Sequence, residues 1–270
     1  MSEKHNSELR LNKLKTILKS YRSVVIAFSG GTDSTFLLHC ASQIPELRLI
    51  AVTIKTPYIP DWEMKEAINF CSNYKINHKL IELSFPEIIR HNPIERCYLC
   101  KKSLFSNIRA FAVENGYEYV ADGTNADDIG DFRPGLKALT ELSITSPLLE
   151  AELTKKEIRE LSQKKNLPTW DKPPYACLLT RIPYNSIVNE KILDKIEKAE
   201  VFIKEIGFPG TRVRTNGDEA RLECQPSHLE KIVEKQYREI IVKRLKEIGF
   251  RFISLDLEGY RTGSLNPEIK

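Results

Sequence analysis

The sequence predicts an α/β fold, a doubly wound parallel sheet with a smaller C-terminal α+β domain. Three observations predict it. The apolar, β-branched run Val24-Val25-Ile26-Ala27-Phe28 leads into the glycine pair Gly30-Gly31 and then a helical pattern from Thr32 to Cys40. Strand and helix patterns go on alternating as far as Ala121, the order of βαβ units. From Asn189 the order changes to helix, hairpin, helix and strand.

Taken along the chain, residues 1–20 are charged and helix-patterned, with Leu9, Leu11, Leu14, Ile17 and Leu18 as one apolar stripe. Leu47 to Ile54 is a second buried strand and Ile76 to Leu83 a third. Between them Asp61 to Tyr74 is a helix carrying Trp62, Met64, Ala67, Ile68 and Cys71 near helical spacing. Pro86 to Arg90 reads as a short helix that Asn92-Pro93 ends. A longer helix runs from Tyr98 to Asn115 with Gly116 as its C′ residue, and Tyr117 to Ala121 is the fourth strand. Thr154 followed by Glu157 is a capping box for a helix reaching Lys165. Between Leu167 and Tyr184, Pro168, Pro173, Pro174 and Pro183 forbid a long helix or central strand. The apolar content still predicts an ordered loop, over the active site. Asn189 to Gly207 is a helix, 211–214 and 220–224 form a hairpin about Asn216-Gly217, Ser227 to Ile248 is amphipathic, and Phe250 to Leu257 is the last strand. The domain boundary is expected near 182–188, giving domains of residues 1–184 and 185–270.

The chain of 270 residues is 41% hydrophobic and 29% charged, as in globular proteins that bury a full core. No signal peptide is recognised before the first strand and no run is long enough to cross a membrane, so a cytoplasmic protein is expected. Net charge of +4, from 41 basic and 37 acidic residues, is too small to argue for nucleic acid and suits an anionic small molecule.

The chemistry starts at Ser29-Gly30-Gly31-Thr32-Asp33-Ser34, where glycines and a helix start can hold an anion on main-chain N–H groups. No Gly-Lys-Ser/Thr follows at the Walker A spacing, which excludes a kinase or motor ATPase. The stretch resembles the pyrophosphate loop of the ATP-pyrophosphatase superfamily, which cleaves ATP between its α and β phosphates to adenylate a substrate. That resemblance implies pyrophosphate held by the loop amides, Ser29 and Ser34, and Mg²⁺ held by Asp33. Thr53 and, after the fourth strand, Gly123 and Asn125 are candidates for the same nucleotide site; Asp122 to Asp128 is dense in oxygen ligands. Asp128 is a candidate for metal or substrate binding, with helix capping as its alternative.

Cys97 and Cys100 stand at i, i+3, so two thiolates can face one point, and Arg96, Lys101 and Lys102 offset their charge. Half a zinc site, a redox pair and two ordinary cysteines all remain open for this spacing. Cys177 lies in the proline-rich loop, where the bland alternative is a small hydrophobe. Cys40, Cys71 and Cys224 fall on apolar faces as packing residues. Arg212 and Arg214 alternate onto one strand face and, with Arg181, make a basic pocket for a phosphate unless that face is merely solvated. Glu200 and Glu223 are candidates to orient these arginines, and Asp256, like Asp128, to assist metal or substrate binding, with a solvated capping role as its alternative.

In order along the chain, the phosphate loop, Asp122 to Asp128, Arg133-Pro134-Gly135, Lys172-Pro173 through Cys177 to Arg181-Ile182-Pro183, Arg212-Val213-Arg214, Gly259-Tyr260-Arg261 and Gly263-Ser264 resemble the LarE family over nearly the whole length. These are ATP-dependent sulfur transferases of nickel-pincer nucleotide cofactor synthesis. The resemblance implies adenylation of a ring carboxylate on a nicotinic-acid-derived dicarboxylated mononucleotide, then sulfur delivery to give a thiocarboxylate. One type of member sacrifices the sulfur of the cysteine matching Cys177 and is left with dehydroalanine. The other holds a [4Fe-4S] cluster on three thiolates, and Cys97, Cys100 and Cys177 resemble that type, leaving one iron open to sulfide. The family also implies a homo-oligomer, a hexamer. Where it usually has glycine after Arg-Ile-Pro-Tyr this chain has Asn185, a residue that tolerates the left-handed region. Two rivals stand beside this reading: a tRNA thiolase of the same superfamily, which needs a basic surface, and a nucleotide-binding regulator without turnover, which leaves the three cysteines unexplained.

Overall fold

The computed structural model describes residues 3–129 and 134–261. Arg133, Gly263 and Ser264, which carry part of the resemblance, lie outside the described residues. The chain forms two compact units, one of Met1–Thr56, Asp61–Pro86 and Glu95–Pro174, the other of Pro57–Pro60, Glu87–Ile94 and Tyr175–Lys270.

The first unit runs α1 (Glu3–Ser20), β1 (Ser23–Ala27), α2 (Thr32–Ser42), β2 (Arg48–Lys55), α3 (Asp61–Asn73), β3 (His78–Glu82), α4 (Arg96–Glu114), β4 (Tyr119–Ala121), α5 (Pro134–Glu141), α6 (Pro147–Glu150) and α7 (Lys155–Lys164). Its four strands are parallel in the order β3-β2-β1-β4. Alternate residues of β1 enter different cores. Val24 and Ile26 pack with Leu14 and Leu18 of α1 and Phe36 of α2, whereas Val25 packs with Phe105 and Ile108 of α4. The sheet is therefore covered on both faces, as expected for a doubly wound fold, and each fully buried Leu or Phe contributes about 1.5–3 kcal/mol. Because β2 and β4 flank β1, winding reverses there, and the segments after β1 and β4 leave the sheet side by side at its carboxyl edge.

The second unit runs α8 (Glu190–Glu205), β5 (Arg212–Asn216), β6 (Glu219–Glu223), α9 (Leu229–Ile232), α10 (Lys235–Ile248) and β7 (Phe252–Leu255). β6 pairs antiparallel with β5 and parallel with β7, and Ile203 of α8, Val213, Leu222 and Leu245 of α10 meet in its core.

Several expectations are corrected in detail. Leu9 is 50% exposed, because the buried stripe of α1 is Leu11, Leu14 and Leu18, at i, i+3 and i+7, and Leu9 sits on the far side. Helix α4 begins at Arg96 rather than Tyr98. Asn216 pairs with Glu219, so the hairpin loop is Gly217-Asp218, with the positive φ of 62° at Gly217. The amphipathic stretch from 227 divides at Val233-Glu234 into α9 and α10. The capping box of α7 forms on Thr154 and Glu157, and Gly116, with φ 66°, ends α4. Asn185 takes a φ of 59°, so the turn that glycine usually makes survives.

Candidate functional site

In the first unit the phosphate loop joins β1 to α2. Gly30 has a φ of 69°. Gly31 is the N-cap of α2 and brings no side chain to the first-turn amides, so the positive end of the helix faces the loop. Ser29 Oγ and Ser34 Oγ lie 3.1 Å apart, and Ser34 Oγ also donates to the Gly31 carbonyl. Thr32 is turned elsewhere, its hydroxyl donating to the Thr169 carbonyl at 2.8 Å. Gly123 is a point of close approach, since a Cβ there would stand 2.9 Å from the Ser34 amide nitrogen. The segment after β4 thus lies directly against the first turn of α2.

Asp33 pairs with Lys155 Nζ at 2.5 Å through Oδ2, while its buried Oδ1 has no hydrogen-bond partner. Burial pushes the Asp33 carboxyl above its ordinary range, and Lys155 opposes that shift. An orphaned carboxylate oxygen beside a phosphate loop suits a hard cation, so the donor chemistry fits Mg²⁺. Asn125 and Asp128 form a reciprocal cap in which Asn125 Oδ1 accepts from the Asp127 amide and Asp128 Oδ2 from the Asn125 amide. The Thr53 hydroxyl donates to the Phe28 carbonyl at 2.7 Å, so His78 Nε2, 2.8 Å away, is the donor to Thr53.

Three basic residues complete this site, of which Lys155 and Arg159 are not among the candidates read from the sequence. Lys155 occupies the first position of α7, where the helix dipole disfavours a cation, and that misplaced charge was the available signal. Lys172 Nζ donates to the Gly30 carbonyl at 2.9 Å and to Glu66 at 2.7 Å. Arg159 holds the carbonyls of Trp170 and Lys172, so the start of the proline-rich loop is tied to the phosphate loop.

Cys97 and Cys100 sit in the first two turns of α4, the first exposed and the second half-buried. Tyr98 between them donates to Glu141 of α5, where Lys102 also binds, which fixes the rotation of α4. Two thiols one turn apart at the positive end of a helix are a fitting pair of soft donors. Among the described residues no three His, Cys, Asp or Glu side chains are grouped closely enough to hold a metal ion. All six cysteines are thiols. Burial pushes Cys40 and Cys71 up to about 12 and raises Cys224 as well, in keeping with packing roles.

In the second unit Cys177 caps a short 3-10 turn, Leu178–Arg181, and is half-buried. Its carbonyl accepts from the Thr180 hydroxyl at 2.9 Å and from Arg181 at 3.2 Å. Arg181 is 1% exposed; its Nε and Nη2 meet the two oxygens of Glu200 at 2.8 and 2.9 Å, and Nη1 holds the Ala176 carbonyl. Arg212 and Arg214 are 3% and 8% exposed, so their strand face is not solvated. Arg214 donates to Glu223 and to the Thr180 carbonyl, and Arg212 lies over the Tyr175 ring at 3.8 Å. Glu200 and Glu223 thus orient arginines, whereas Asp256 lies 3.9 Å from Arg221. Asn92, buried with a φ of 47°, donates to the carbonyls of Leu179, Ile182 and Pro183 and anchors the same loop.

No helix among the described residues is long and apolar enough to cross a membrane. No protein-family profile matches the chain. It is 34% identical over 262 residues to an uncharacterized protein of Synechocystis sp., covering 96% of this chain and 97% of that one. An uncharacterized protein of Methanocaldococcus jannaschii is 37% identical, with 94% and 98% covered. The pyridinium-3,5-bisthiocarboxylic acid mononucleotide synthase of Lactiplantibacillus plantarum is 31% identical, with 95% and 93% covered. With a parallel sheet, a phosphate loop at its switch point and full-length similarity of this kind, the chain belongs to the LarE family of ATP-dependent sulfurtransferases, within the ATP-pyrophosphatase superfamily.

Proposed function

We propose that this enzyme adenylates a carboxylate of a pyridinium dicarboxylate mononucleotide and replaces the adenylate with sulfur, giving a thiocarboxylate. The observation that carries the reading is the α2 N-terminus, capped by a bare glycine beside the orphaned Oδ1 of Asp33. Loop amides with Ser29 and Ser34 hold the β and γ phosphates, and Asp33 would hold Mg²⁺, which supplies charge neutralisation for the leaving pyrophosphate. A substrate carboxylate oxygen attacks the α phosphorus, the α–β bridging bond breaks, and pyrophosphate leaves with the electron pair. Sulfide then attacks the acyl carbon, and AMP departs as the carbon–oxygen bond breaks. Arg212 and Arg214 bind the phosphate of the mononucleotide, while Arg181, paired with Glu200, holds the Cys177 loop.

Cys97, Cys100 and Cys177 are the proposed ligands of a [4Fe-4S] cluster. Such a group, when bound, supplies an iron without a protein thiolate to carry sulfide. Sacrifice of the Cys177 sulfur is the competing source. Anaerobic purification with iron and labile-sulfide assay, followed by mass measurement after one turnover, separates the two. Equal iron and sulfide and an unchanged mass are expected; colourless protein lighter by one sulfur overturns the cluster. Pyrophosphate release from ATP that depends on the dicarboxylated mononucleotide, and not on bulk tRNA, is expected of the reaction as a whole.

A further inference from the structure

The two glycines that clear the phosphate loop also leave it a loose joint. Gly30 has a φ of 69° and lies against α3, where a Cβ would stand 3.4 Å from the Cβ of Ala67; Gly31 has a φ of −80° and a ψ of 167°. The peptide between them can turn over by changing ψ of Gly30 and φ of Gly31 together, and with no Cβ on either residue both orientations are sterically open. A trans peptide points its carbonyl and its N–H in opposite directions. In one orientation Gly31 offers an N–H to an anion; in the other Gly30 offers a carbonyl oxygen, which repels it. The Gly31 N–H faces the serine pair, with Ser29 Oγ at 3.4 Å, and the Gly30 carbonyl accepts from Lys172 Nζ at 2.9 Å.

We propose that Lys172 is a positioning residue, which locks the peptide between Gly30 and Gly31 so that its N–H stays turned toward the phosphates. Both ends of the lysine are held. Arg159 binds its carbonyl at 2.7 Å, its amide donates to the Thr169 carbonyl at 3.2 Å, and the Thr32 hydroxyl ties that same carbonyl to the first turn of α2. At the other end Glu66, on the helix that carries Ala67, accepts from Nζ at 2.7 Å, and the Trp62 ring one turn earlier lies 5.3 Å away. The charge of the ammonium is thus met by a carboxylate, and its donation to Gly30 acts on orientation. A lysine that bound phosphate by charge would gain from the loss of Glu66. One that works through the carbonyl would lose its anchor.

The lock rests on the reading of the loop as a phosphate site, and the experiment separates the two. Inorganic pyrophosphate is titrated into the full-length enzyme by calorimetry, and the Gly31 amide is followed by NMR in glycine-labelled protein. In Lys172→Met, pyrophosphate binding should weaken about tenfold, the size of a lost charged hydrogen bond, and the downfield shift of the Gly31 amide on binding should shrink. Glu66 is exposed on α3, so Glu66→Ala keeps the test open even if the lysine variant does not fold; it should weaken binding in the same direction. Tighter binding in Glu66→Ala, or a Gly31 amide shift in Lys172→Met equal to wild type, overturns the lock. Pyrophosphate that binds the wild-type enzyme without moving the Gly31 amide, or does not bind it, overturns the phosphate site itself.

Discussion

Between β1 and α2 the proposed anion site is made of main-chain amides, two glycines and two serines that are neighbours in sequence, whereas around β5 it is made of long cationic side chains held by distant carboxylates and rings. The loop needs the space over the helix start kept empty, so its own determinants are absences: Gly31 as N-cap and Gly123 against Ser34. The arginine cluster needs every charge balanced at once, because Arg181 and Glu200 are almost wholly removed from water. One site is specified by backbone conformation and tolerates little bulk; the other is specified by pairing and tolerates little loss of charge.

The largest expected effect comes from breaking the pairing. Glu200→Ala leaves Arg181 buried and uncompensated and should cost about 3–5 kcal/mol in denaturant unfolding. The double variant Glu200→Leu with Arg181→Met sharpens the contrast: its stability should return, while mononucleotide KM stays raised. Added bulk is the corresponding insult to the loop. Gly123→Ala sets a Cβ against the Ser34 amide and should cost about 1–3 kcal/mol of stability, with a matching loss of ATP affinity in a titration. The same change at Gly217, whose surroundings are open, should leave ATP affinity untouched.

The smallest expected effect is a pH dependence confined to the first unit. Burial holds His78 and His39 below the ordinary imidazole value of 6.5. The native state therefore binds fewer protons than the unfolded chain just below that pH. Their contribution is complete above 6.5 and declines as the pH falls through the window between the ordinary and the depressed values. In His78→Gln, which keeps a donor for Thr53, unfolding midpoints should fall less on acidification than in wild type.

Much of the first unit was legible because its signals are local. The β-branched run of β1, the Thr154 and Glu157 capping box and Gly116 after α4 each follow from residues within a few positions of one another. Leu9 and the hairpin turn were misplaced by a fraction of a helical turn and by one residue, errors that periodicity alone does not correct. The roles of Lys155 and Asn92 were missed for a different reason. Each acts through a partner far along the chain, as Lys155 does on Asp33 at a separation of 122 residues.

By itself the sequence determined the parallel α/β sheet, the phosphate loop at the carboxyl end of its first strand, the cysteine pair one helical turn apart and the arginines of β5, since periodicity and turn chemistry are set by neighbouring residues. Only the tertiary structure decided which acid meets which base, that the Arg212 and Arg214 face is buried, and that Arg212 rests on a ring. Those outcomes depend on which side chains leave water together, and desolvation is a property of the packed chain that no short stretch of residues contains.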